Sequence, residues 1–110
     1  MKILSNPCYY VYLITDISRK ELFTGVTSNL QARLLQHEQE ARRRLPKNGE
    51  AILVYYEQHP DMLQAIGREQ EIKSWSRKKK AELVNTTNPD WRPLNEEIYA
   101  ARDNQYSTPR

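Results

Sequence analysis

Tyr9-Tyr10-Val11-Tyr12-Leu13-Ile14, a polar break, and Leu22-Phe23-Thr24-Gly25-Val26-Thr27-Ser28 decide how this chain folds. The first run, extended to Thr15, is aromatic and β-branched with apolar groups on both alternating faces, as in a strand covered on both sides. Asp16 to Lys20 is too short to carry the chain back for a parallel pairing. The next strand, Glu21 to Val26, therefore runs antiparallel to the first. Gly25 inside it predicts a bulge or the close approach of another group. Ser28, with Gln31 three residues on, has the form of a capping box and opens a helix with the apolar stripe Leu30, Leu34 and Ala41. At about 100° per residue, His37 falls in the middle of that stripe and Arg33 at its edge. Packing alone gives no reason for two basic groups there.

Downstream, Arg42 to Gly49 reads as a basic loop, and Ala51 to Glu57 as a third strand ended by His59-Pro60. Asp61, with Gln64, caps a helix expected from about Met62 to about Arg77. Glu69 shares the face of that helix with Met62, Ala65, Ile66 and Ile72. A carboxylate facing a core is costly unless it is paired, hydrogen-bonded or bound to a cation. A salt bridge to Arg33 or another cation is the plain explanation; metal ligation or catalysis is the alternative. A further helix is expected over Lys78 to Val84, and Asn88 to Leu94 forms a turn-rich segment anchored by Trp91. Asn95 to Arg102 makes a last short helix. The expected domain is residues 1–98, with 99–110 a flexible polar tail.

At 110 residues the chain has room for one domain. No apolar run approaches the ~20 residues of a membrane helix, and no secretion signal opens the sequence, so a cytoplasmic setting is expected. A single cysteine, Cys8, excludes an internal disulfide and a Cys-rich zinc site, and a buried inert thiol is the simplest reading. The net charge of +3 says less than its distribution: Ser28 to Lys80 holds eleven Lys/Arg and seven Asp/Glu, and the remainder is slightly acidic. Two runs dominate, Arg42-Arg43-Arg44 with Lys47, and Arg77-Lys78-Lys79-Lys80. Such runs attract polyanions by releasing condensed counterions, although solvated helix ends explain each run alone equally well.

Taken together these residues resemble the GIY-YIG nuclease superfamily, most of all its small single-domain members labelled UPF0213 or excinuclease-C-like. Tyr10-Val11-Tyr12 falls at the first family motif and Phe23-Thr24-Gly25 at the second. Val26 to Arg33 resembles the approach to the catalytic arginine, and Ala65 to Lys73 the helix of the metal-binding glutamate. Asn88-Pro89-Asp90-Trp91, with Leu94, resembles the subgroup's C-terminal signature. The resemblance covers roughly residues 8 to 98.

It implies an α/β (α+β) domain, a three-stranded antiparallel sheet flanked by helices, that hydrolyses DNA phosphodiesters with one divalent metal ion, Mg²⁺ or Mn²⁺. By position, Tyr12 would orient or deprotonate the attacking water, and Arg33 would clamp the scissile phosphate. His37 would contact phosphate or relay a proton, Glu69 would hold the metal, and Asn88 would match a family asparagine near the site. An arginine fork beside a carboxylate-held cation suits a developing phosphorane charge. The two departures are Tyr10, where the motif has glycine, and Phe23, where it has tyrosine. The second removes a hydroxyl able to move a proton, typically worth ~10²–10⁴ in rate if it is the general base. Three readings follow: a nuclease acting on branched or damaged DNA, a binding module disabled by Phe23, and an interaction domain in which Glu69 and Arg33 form a buried ion pair. Little surface is available for base readout, so weak sequence specificity, or a protein partner that supplies it, is expected.

Overall fold

A computed structural model describes residues 8–44 and 50–100. Its strands are β1 (Tyr9–Thr15), β2 (Phe23–Thr27) and β3 (Ile52–His59), and its helices α1 (Leu30–Arg44), α2 (Met62–Lys73) and α3 (Arg77–Thr87). Residues 95–100 are also helical. The sheet is antiparallel throughout in the order β2-β1-β3, which makes the most apolar strand the central one. Side chains alternate across β1 and so serve two cores. Val11 and Leu13 pack with Ala65, Ile72, Ala81, Val84 and Trp91 beneath α2 and α3. Tyr12 and Ile14 pack on the opposite face with Leu30 and Leu34 of α1, and with Leu94 and Ile98. Leu34 is fully buried, and truncation to alanine at such a site costs about 2–5 kcal/mol.

Several boundaries differ from the sequence reading, each for a local reason. β2 begins at Phe23 because Leu22 turns into the core, and the Glu21 carbonyl accepts a hydrogen bond from the Thr15 hydroxyl at 2.7 Å. The cap of α1 is Asn29, one residue beyond the expected Ser28; its side-chain oxygen accepts from the Ala32 amide at 3.1 Å. Arg42, Arg43 and Arg44 are no loop but the last turn of α1, where cations complement the exposed carbonyls. The helix expected to run to Arg77 stops at Lys73, because Ser76 caps a new helix by accepting from the Lys79 amide at 3.1 Å. Asp61 caps α2 as expected, accepting from the Leu63 amide at 2.8 Å. Lys47 and the tail residues beyond 100 lie outside the described residues.

The bulge is in β3 and not at Gly25. Leu13 pairs with Tyr55 and Ile14 with Leu53, which leaves Val54 as the extra residue. Val54 and Tyr55 consequently both join the core beneath α2 and α3. At Gly25 the other alternative holds, the close approach of a side chain. A Cβ there would lie 2.3 Å from Cζ and Oη of Tyr12, whose ring crosses over the glycine from the neighbouring strand.

Candidate active site

Tyr12 leaves the middle of β1, crosses Gly25 and ends against α1, where its hydroxyl lies 2.9 Å from Nε2 of His37. The two rings meet edge to face, with centroids 5.7 Å apart. Burial raises the Tyr12 hydroxyl above the usual tyrosine range; the charge of Arg33 pulls it down and that of Glu69 pushes it up. Burial likewise lowers His37 below the usual histidine range, with Arg33 adding to the shift and Glu40 opposing it. At neutral pH the phenol is therefore protonated and the imidazole neutral, the state in which a ring nitrogen can accept the phenolic proton.

Arg33 and Glu69 thus act on the same hydroxyl from different elements, Arg33 from α1 and Glu69 from α2. The fold brings Tyr12 and His37 into contact, with Arg33 and Glu69 near enough for their charges to act on the Tyr12 hydroxyl. Two details depart from the sequence reading. Arg33 is exposed, because Leu30 and Leu34 fill the buried stripe and leave the guanidinium at the rim. The ion-pair partner of Glu69 among the described residues is Lys73, one turn along α2 at 3.6 Å, so the cation is not the Arg33 named first but another. The ion pair that supported the interaction-domain reading is therefore not formed. The Glu69 side chain is 12% exposed, so it is largely buried while still touching solvent.

No group of three or more His, Cys, Asp or Glu side chains able to hold a metal occurs among the described residues. A lone carboxylate still fits a hard divalent cation of the magnesium type, which keeps several waters and takes further oxygens from substrate phosphates. Glu69 meets that requirement and would hold such an ion only together with its substrate.

Asn88 stands apart. It is buried at the C-terminal cap of α3, where its Nδ2 donates to the carbonyls of Val54 (3.1 Å) and Arg92 (2.9 Å). Its Oδ1 accepts from the Arg92 amide at 3.0 Å. Both amide protons are committed to the backbone, and the residue ties the turn carrying Trp91 to the β3 bulge.

Phe23 is 60% exposed and lines an open cleft of about 470 Å³ together with His37, Lys73, Lys80 and Arg44. Much of the second basic run is occupied within the fold. Arg77 donates to the carbonyls of Arg19 and Lys20 and lies over the Trp91 ring, Lys80 donates to the Leu22 carbonyl at 3.2 Å, and Lys79 lies over Trp75. Lys78, Arg42 and Arg43 are exposed.

Two features escaped the sequence reading. Lys73 was readable as a cation four residues beyond Glu69, a spacing that brings side chains together on a helix. The second is a polar cluster bracing α2 against β3. Glu57 accepts from Arg68 Nε at 2.8 Å, from the Tyr55 hydroxyl and from His59 Nε2, and Arg68 also reaches Glu71. The alternation of Tyr55, Glu57 and His59 on one strand face was its only signal. Arg68 immediately precedes Glu69, so this clamp joins α2 to β3 beside that carboxylate.

Comparison with known proteins gives the family. A family model described as the GIY-YIG catalytic domain matches residues 8–82. A UPF0213 protein of Staphylococcus haemolyticus is 32% identical over 77 residues, covering 69% of this chain and 93% of that protein. One from Haloquadratum walsbyi is 32% identical over 80 residues, covering 72% and 89%. Another, from Natronomonas pharaonis, is 34% identical over 77 residues, covering 69% and 89%. No solved structure matches.

Proposed function

The chain belongs to the GIY-YIG family, and on that premise we propose that it is a metal-dependent endonuclease hydrolysing DNA phosphodiester bonds, acting on branched or damaged DNA in repair or recombination. The observation that carries this reading is the Tyr12–His37 hydrogen bond, with the charges of Arg33 and Glu69 both acting on the Tyr12 hydroxyl. A water attacking phosphorus forms the new P–O bond as the bond to the leaving-strand oxygen breaks. It gives its proton to the Tyr12 oxygen while the phenolic proton passes to Nε2 of His37, and the leaving oxygen takes a proton from solvent. Tyr12 ends the transfer unchanged, so a phenol with a raised pKa serves as a conduit and neutral His37 as the acceptor. The Arg33 fork holds the nonbridging oxygens and matches the charge that develops on them. Glu69 would hold a divalent ion, Mg²⁺ or Mn²⁺, and that ion would supply Lewis-acid stabilisation. Lys73 pairs with Glu69 at 3.6 Å. Exposed Arg42, Arg43 and Lys78 add nonspecific attraction to the phosphate backbone. We place this unit within residues 1–98, in a cytoplasmic protein.

The alternative is a binding module that cleaves weakly or not at all, favoured by the missing hydroxyl at Phe23. Supercoiled and branched DNA incubated with Mg²⁺ or Mn²⁺, wild type beside Glu69→Ala, separates the two. Cleavage by wild type alone supports the nuclease with Glu69 at its metal. Salt-sensitive binding with no cleavage by either supports the module, and equal cleavage by both refutes the site. Under the nuclease reading Phe23→Tyr raises the rate.

A further inference from the structure

We propose that the cleft beside Phe23 seats an unpaired nucleobase, the one flanking the phosphate that is cut. The inference rests on the nuclease reading and adds the form of its substrate. Residues 23 and 25 of β2 present side chains to the same face, about 7 Å apart along the strand. Phe23 therefore stands one side-chain step from Gly25, over which the Tyr12 ring carries its hydroxyl to His37. That step is about the spacing between a phosphate and the next base of an extended strand. The cleft joins Phe23 to His37, has a volume of about 470 Å³ and falls within the size range of small-ligand sites.

Its lining distinguishes a base from a phosphate. Leu22 and Ala41 add apolar surface to that of Phe23, and three basic side chains are balanced by three acidic ones. Among the acids, Glu40 and Glu50 would repel a phosphate, whereas carboxylates accept hydrogen bonds from the exocyclic amino groups of bases. The exposed phenyl ring supplies the stacking face, which tolerates any base. A base stacked and paired inside an intact duplex cannot enter. The substrate strand must present an unpaired nucleotide at the cut, as a single strand, bulge or flap does.

The test is binding in EDTA, where no cleavage occurs, to a fluorescent oligonucleotide as single strand, as full duplex and as duplex with one bulged nucleotide. The wild type binds the two forms with unpaired nucleotides at least about tenfold more tightly than the duplex. Phe23→Ala loses on the order of 5- to 100-fold on those forms and leaves the duplex unchanged within about twofold. Phe23→Tyr and Phe23→Trp keep the preference, because the ring is retained. 2-Aminopurine at the unpaired position is quenched by the wild type and not by Phe23→Ala. Equal affinity for all three forms, or an equal loss on all three in Phe23→Ala, overturns the proposal. Phe23-dependent binding without metal-dependent cleavage would refute the nuclease and leave the base seat standing; cleavage with no Phe23-dependent binding would do the reverse.

Discussion

Gly25→Ala isolates the contact on which the candidate site is built. The backbone at Gly25 has no positive φ, so alanine meets no conformational penalty there, and on intrinsic grounds it stabilises a strand by a few tenths of a kcal/mol or more. The whole cost comes from Tyr12. The added methyl would lie 2.3 Å from Cζ and Oη and 2.8 Å from Cε2, so the ring must retreat by about 1 Å or more to reach ordinary contact. The ring is 4% exposed and packed under α1, which leaves it no easy retreat. Overpacking of this kind costs about 1–3 kcal/mol. For a domain of this size each kcal/mol lowers Tm by roughly 4–8 °C. The displaced hydroxyl also loses its 2.9 Å hydrogen bond to His37, and a misplacement of that size lowers a cleavage rate by ~10²-fold. The assay is a double-mutant cycle by urea unfolding with Tyr12→Val, which keeps a strand former that ends short of Gly25. In that background Gly25→Ala changes stability by less than about 0.5 kcal/mol, because its clash has been removed. Equal destabilisation by Gly25→Ala with and without the Tyr12 ring would refute this account of the glycine.

Cleavage should follow an acid limb set by His37: the rate rises with pH through a value below the usual 6.5 and is flat at neutral pH, because the proton acceptor must be neutral. A limb above 6.5 measured on kcat/KM, or its persistence in His37→Gln, would remove His37 from that role. Asn88→Ala leaves buried backbone partners unpaired and should cost about 1–3 kcal/mol in thermal or urea unfolding, with the cleavage rate of the folded fraction unchanged. A large rate loss without a stability loss would return Asn88 to the chemistry. At Glu57 burial pushes the carboxyl up, but the hydrogen bonds from Arg68, Tyr55 and His59 outweigh it and hold the group below its ordinary 4.5. Its stabilising contribution is thus complete above that value and is lost as pH falls through the lower folded one. Glu57→Gln should destabilise by about 1–3 kcal/mol at pH 7. The gap from wild type closes under acid, and a gap that does not depend on pH would deny the ionised clamp.

The order strand, strand, helix, strand, helix was legible in the chain because alternation, helical periodicity and short connectors are local properties. β1 matched its expected span, Asp61 capped α2, and Glu69 stood out because a carboxylate on an apolar stripe conflicts with burial. Where adjacent residues competed for one role, the chain alone did not choose. Asn29 took the cap from Ser28, and Ser76 split one expected helix into two, because each outcome depends on which side chain reaches a free amide. Tertiary structure alone decided the rest. The register between β1 and β2 put the Tyr12 ring over Gly25, and the bulge at Val54 gave Asn88 a carbonyl to hold. The packing of α2 on the sheet, braced by Arg68 on Glu57, brought Glu69 within the field of Tyr12. Those are distances between residues far apart in the chain. No periodicity encodes them, and they exist only once both faces of the sheet have been packed.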